Sequence, residues 1–254
     1  MFFAGDNFAL TVAQAACVAV PAVGLPRWAQ RFRGSWWALI VPGSIAVVIG
    51  GIELAPGTAD VLTWVALLLV PFGAAVCLGW AMTGARPWLA LLAAPLLAVA
   101  GASQDTRAGQ LATILLIAGS AVAAGRLLAG VAPLALLKVG VVVMAAIDSV
   151  LVFTEHLQPA NAVLVAASPG LGLPRLQSAG FGDWGLGYGD FFAAAVVGAI
   201  LAAEGRRAWV GALATLVVSV AWEQLFLVVD TIPATVPPAL VLIGYELVSA
   251  SRRR

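Results

Sequence analysis

The sequence predicts an all-α polytopic membrane protein, on three observations. Hydrophobic residues make up 62% of the 254-residue chain and charged residues only 10%, against about 25% charged in an ordinary soluble domain. The mean hydropathy is +1.04. The apolar residues also fall in nine long blocks, most approaching the roughly 20 residues that cross a bilayer as helix, rather than in the short alternating segments of a membrane barrel. The net charge of +1 points to no nucleic-acid partner.

The nine blocks are 8–25, 36–54, 61–83, 88–102, 111–125, 133–153, 186–203, 208–229 and 236–250. The first follows Met1-Phe2-Phe3-Ala4-Gly5-Asp6, which lacks the positive start of a secretory signal, so it is expected to stay as a membrane helix. The second, third and fourth contain Pro42, Pro71 and Pro95, which membrane helices accommodate as kinks. The fourth and fifth are short. Cys17 and Cys77 sit inside apolar blocks and read as small packing residues. The abundant Ala, Gly and Ser allow close helix packing in lipid. The expected organisation is one integrated membrane domain, with scaffold helices one to five in residues 1–130 and helices six to nine in 131–254.

Orientation follows from the basic residues. Under a nine-helix count, Arg27, Arg31, Arg33, Arg86, Arg126, Arg206, Arg207, Arg252, Arg253 and Arg254 share one side, and Lys138 can snorkel to it. Only Arg107 and Arg175 of the 13 basic residues fall on the other side. The positive-inside rule then places the N-terminus outside and the C-terminus inside. Trp28, Trp36, Trp37, Trp88 and Trp184 sit near block ends, as interfacial anchors do. The expected location is a cytoplasmic membrane, bacterial or archaeal.

The longest connection runs from about Thr154 to Gly185. Pro159, Pro169-Gly170 and Pro174 exclude one continuous helix. The run from Asn161 to Ala167 between these breakers reads either as a strand or as an apolar loop on the membrane surface.

Chemistry concentrates in three places. Asp148 lies in the sixth block. Asp190 follows Trp184-Gly185-Leu186-Gly187-Tyr188-Gly189 at the start of the seventh. Pro237-Pro238-Ala239-Leu240 opens the ninth. A charge at membrane depth is costly, so an intramembrane acid is a functional candidate. Asp148 is five residues before Phe153 and Asp190 four after Leu186, which puts both about 6–8 Å below the same boundary. Neighbouring carboxylates cannot both ionise cheaply, so the pair is expected to share a proton. One member then takes a proton from water while the other polarises a peptide carbonyl. The two titrate as a unit, and neither has a fixed role. Gly187 and Gly189 leave room for a substrate backbone or the sixth helix beside Asp190. Pro238 has no N–H and shapes the edge of the cleft.

Asp148 with Val152-Phe153, then Gly187-Tyr188-Gly189-Asp190-Phe191, then Pro238-Ala239-Leu240 together resemble the signal peptide peptidase and presenilin family of Gly-x-Gly-Asp intramembrane aspartyl proteases. The resemblance covers the C-terminal half; the first five blocks match in number and hydrophobicity. It implies a presenilin-like fold of nine helices, a catalytic pair at Asp148 and Asp190, and Pro238, Ala239 and Leu240 beside the active site with Gly187, Tyr188 and Gly189. It implies no cofactor, and transmembrane helices or remnant signal peptides as substrates. It also implies that the region between the catalytic helices holds the substrate as a strand, a role that would fall to residues 161–167. One departure is Ile147, where the family usually has Tyr before its first aspartate. The outside N-terminus is similar to the signal peptide peptidase branch.

Two other readings compete. A prepilin-peptidase-like aspartyl protease shares the Gly-x-Gly-Asp motif but would place its site on the cytoplasmic side. A proton-coupled transporter would use paired intramembrane acids as a relay. Glu223, followed by Gln224 in the eighth block, is a further candidate. His156 is the single histidine and reads as a loop residue. No His-Glu-x-x-His pattern for a metal site is present.

Overall fold

The structure is a computed structural model that describes residues 5–26, 29–55, 57–155, 157–170 and 172–251. The reading of His156 as a loop residue, of Trp28 as an anchor, and of Arg27, Arg252, Arg253 and Arg254 as topology signals falls outside these residues.

The chain is mostly helical. In order, the elements are α1 (Gly5–Ala19), α2 (Ile40–Leu54), α3 (Thr58–Val76), α4 (Ala93–Ala102), α5 (Arg107–Val131), α6 (Leu134–Phe153), α7 (Leu157–Ala166), strands β1 (Ser178–Phe181) and β2 (Trp184–Gly187), α8 (Tyr188–Ala203), α9 (Ala208–Trp222) and α10 (Val236–Ser251). Every apolar block carries helix. Among the described residues five helical stretches are long and apolar enough to cross a membrane: Ser35–Leu54, Thr58–Ala81, Arg107–Val131, Leu134–Phe153 and Ala208–Leu227. The chain is therefore an all-α membrane protein. The helices at Pro87–Ala102, Tyr188–Ala203 and Val236–Ser251 are shorter.

Block boundaries shift where local chemistry demands it. The first helix stops at Ala19 rather than Leu25, because Pro21, Gly24 and Pro26 break it. Residues 20–26 instead pair with the end of the third block, through Ala22 N–H to Ala81 O at 2.9 Å and Thr83 N–H to Val20 O at 2.8 Å. Tight turns at Ser35–Leu39 and Pro87–Leu92 precede α2 and α4. Pro42 and Pro95 therefore fall just where a 3₁₀ turn passes into α-helix, and Pro71 lies within α3.

Two corrections concern the long connection. Residues 161–167 form no strand; Asn161–Ala166 belong to α7. Pro159 sits in the first turn of that helix, a position where proline starts helices rather than stopping them. The strands lie later, in an antiparallel hairpin pairing Ser178 with Gly187 and Phe181 with Trp184. Its two-residue turn is Gly182-Asp183, with Gly182 at φ +59, a left-handed conformation that glycine adopts without steric cost. The seventh helix consequently starts at Tyr188, and Leu186 and Gly187 belong to β2.

The core is organised around α8, whose residues Phe191–Leu201 are all buried. A helix apolar on every side belongs inside a bundle. Its small residues let neighbours approach to backbone contact. A Cβ built on Gly125 of α5 would lie 2.7 Å from the Ala195 carbonyl carbon, and one on Gly198 would lie 2.6 Å from Val18 Cα of α1. Helices α1 and α5, from the first half of the chain, thus line the most buried helix of the second half.

Polar ties fix both ends of the bundle. At one end, Asp6 of α1 pairs with Arg107 of α5, and Gln110 accepts the Gly182 N–H at 3.1 Å. At the other, Lys138 of α6 pairs with Glu204 and with Glu246 of α10, and Arg206 joins both acids at 2.7 and 3.0 Å. Lys138 thus has two carboxylate partners where simple snorkelling was expected. The network ties α6, α8 and α10 together at the end opposite Asp148 and Asp190.

Candidate active site

Asp148 lies about one and a half turns before the end of α6 and is 8% exposed. Its Oδ2 accepts the Thr235 hydroxyl at 2.6 Å. Asp190 is the third residue of α8. Its Oδ2 accepts the Gly187 N–H at 2.9 Å, a side chain in the first turn reaching back to the residue before the helix. That bond also places a carboxylate at a helix N-terminus, where the macrodipole favours it. The two acids sit on helices that pack against each other, and both are tied to the 234–235 segment, Asp148 through Thr235 and the Asp190 backbone through Gln14. The structure thus brings together the two aspartates and the N-terminus of α10.

The remaining expected residues divide. Pro238 and Ala239 are buried in the first turn of α10, and the Ala239 N–H bonds to Thr235 O at 3.4 Å. Leu240 is 44% exposed and does not share their burial. Tyr188 turns to α5, its hydroxyl 3.1 Å from Ser120 Oγ, so it anchors α8. A Cβ on Gly189 would meet only Met144 Cε at 3.5 Å, and one on Gly187 only the Asp190 carboxylate and the Gly189 nitrogen, at 3.5 Å or more. Protein packing does not require either glycine, since a Cβ at each would make only ordinary van der Waals contacts. Glu223 accepts a hydrogen bond from Thr11 of α1 at 2.6 Å, which makes it a tie between α9 and α1.

Sequence reasoning missed two residues. One is Thr235. The other is Gln14 of α1, which is 2% exposed. Its Nε2 donates to Asp190 O at 3.2 Å and to Ala234 O at 2.8 Å. One amide group therefore staples the helix carrying Asp190 to the loop whose next residue holds Asp148. Gln14 was visible as an amide inside an apolar block. Nothing local marks Thr235, 87 residues from its partner.

Thr235→Val removes the donor to Asp148 while keeping shape. A hydrogen bond to a charged group contributes about 1.5–3 kcal/mol, so kcat for any reaction at this pair is expected to fall about 10- to 100-fold with KM unchanged. Thr235→Ser, which restores the hydroxyl, is expected to recover most of it. Equal kcat in all three proteins would remove Thr235 from the site.

The hairpin borders the same site. Tyr188 N–H bonds to Gln177 O at 3.1 Å, which fixes the alternation of bonded and unbonded pairs. Gly185 and Gly187 of β2 accordingly direct their backbone groups away from β1. The outward N–H of Gly187 is the one Asp190 accepts. Gly185 faces a cavity of about 520 Å³ shared with Gln177, Asn161 and Leu186. Gln177 donates its amide to Leu164 O and Ala167 O at 3.3 and 3.1 Å, while its buried Oε1 has no partner among the described residues.

Fold and site together define a class: a helical membrane protein with two carboxylates on helices packed against each other, one of them bonded to the residue that precedes a Pro-Pro-Ala helix start. Comparison of the chain with protein-family models, with curated proteins and with solved structures finds no match to any of them. Among the described residues no cluster of His, Cys, Asp or Glu has the makings of a metal site.

Proposed function

We propose that the protein is an intramembrane aspartyl protease of the Gly-x-Gly-Asp type, which hydrolyses peptide bonds within transmembrane helices or remnant signal peptides through water activated by Asp148 and Asp190. The observation that carries this reading is the meeting of the two acids, 42 positions apart in sequence, beside the α10 N-terminus. One carboxylate serves as general base toward water while the protonated partner donates to the scissile carbonyl, and the roles exchange as the amine leaves. In this reading the chain crosses the membrane nine times with its N-terminus outside, and it takes a single membrane helix whose N-terminus lies inside. Tags that report the N-terminus inside and the C-terminus outside would overturn that orientation.

The open edge of β2 suits an unwound substrate. A peptide laid along Gly185 meets backbone groups that β1 does not pair, so strand addition falls to residues 184–187 rather than 161–167. Unwinding matters because a helical peptide bond is shielded by its own hydrogen bonds.

The test is cleavage of a reporter with one membrane helix, N-terminus inside, in reconstituted membranes. The parent protein is expected to cut it, and Asp148→Ala and Asp190→Ala are expected not to. Cleavage that survives both changes sinks the assignment.

A further inference from the structure

At the end of the bundle away from the aspartates, the structure assigns a second site, one that binds a phosphate group. Arg126 lies five residues before the end of α5, about 7–8 Å along the axis, and is only 7% exposed. Its Nε donates to Gly24 O and its Nη2 to Val23 O, both at 3.1 Å, and its Nη1 donates to Trp80 O. The guanidinium lies 3.7 Å from the centre of the Trp80 ring. These contacts hold the group in one plane, but every partner is neutral. Among the described residues no carboxylate pairs with Arg126. A buried charge accompanied only by dipoles is poorly compensated.

Arg33 approaches from the segment before α2. Its Nε donates to Gly130 O at 3.2 Å, and it too has no carboxylate partner among the described residues. Both arginines line one cavity of about 180 Å³, whose other walls include Gly24, Gly130, Ala199 and Ala203 and no acid. The acids at this end, Glu204 and Glu246, are already held by Lys138 and Arg206.

A guanidinium carries five N–H donors. Arg126 uses three and Arg33 one in these bonds, which leaves two N–H groups on Arg126 and four on Arg33 beside this small space. That is the geometry that recognises phosphate. The depth, just inside a helix end, matches the level of lipid headgroups, and basic pockets between membrane helices bind them. A phospholipid headgroup and inorganic phosphate share this chemistry. The inference is independent of the protease reading.

The full-length protein in neutral detergent is titrated with phosphatidylglycerol, phosphatidylcholine or inorganic phosphate, with bound ligand counted by native mass spectrometry. Phosphatidylglycerol is expected to saturate one site about tenfold more tightly than phosphatidylcholine. Arg33→Gln, at an exposed position, and Arg126→Lys, which keeps charge but loses the fork, are each expected to weaken it at least about fivefold. Saturable inorganic phosphate binding, weakened by the same changes and without preference for the lipid, also supports the site and names free phosphate as its ligand. No saturable binding by the parent, or equal affinities in parent and variants, overturns it. If Arg126→Lys does not fold, Arg33→Gln decides alone.

Discussion

Asp190→Asn is expected to lower reporter cleavage by about 10²–10⁴-fold, the range that positioned acid–base groups contribute, and Asp148→Asn is expected to do the same. Asparagine keeps the shape of each side chain. Its oxygen still accepts from the Gly187 N–H at position 190 and from Thr235 at position 148. What disappears is the capacity to take up and release a proton. Thermal unfolding of both variants is therefore expected near that of the parent, which separates a chemical loss from a folding loss. Because the pair acts as a unit, the double variant is expected to be no slower than the worse single one. Activity above a tenth of the parent in either folded single variant would place the chemistry elsewhere.

The second large effect falls on stability. Gly125→Val is expected to destabilise the bundle by on the order of 3 kcal/mol, the upper part of the range for overpacked cores. A Cβ at Gly125 meets the Ala195 carbonyl carbon at 2.7 Å and the Val196 nitrogen at 2.9 Å. Both are backbone atoms of the central helix, which cannot rotate aside as a side chain would. Relief requires α5 and α8 to separate, and α8 carries Asp190. Cleavage is thus expected to fall with stability. Gly244→Ala is the control, since nothing lies within 4 Å of a Cβ there; it is expected to leave stability unchanged or slightly raised. Unfolding in a denaturing detergent titration measures both. Equal stability of Gly125→Val and the parent would mean that the close α5–α8 contact is not a constraint.

Helix content, the blocks and the two aspartates were legible in the sequence because each rests on a local property. Length and hydropathy mark membrane helices, and an acid in an apolar block stands out whatever surrounds it. The hairpin was also within reach, since Gly182-Asp183 is a two-residue turn signal between short runs. The run at 161–167 was misread because a short apolar stretch carries no decisive period. Its alanines and the first-turn proline fit a helix.

By itself the sequence determined the membrane class, the helical blocks and the presence of acids inside apolar blocks, since these follow from composition and from the cost of a charge in hydrocarbon. Tertiary structure alone decided what holds those acids. Thr235 meets Asp148, and Gln14 reaches Asp190 across 176 positions, through bonds that exist only once α1, α6, α8 and α10 have packed. Tertiary structure also decided which basic residues are answered. Lys138 and Arg206 find carboxylates, while Arg126 and Arg33 share an acid-free cavity, because helix packing rather than sequence spacing sets which charges become neighbours.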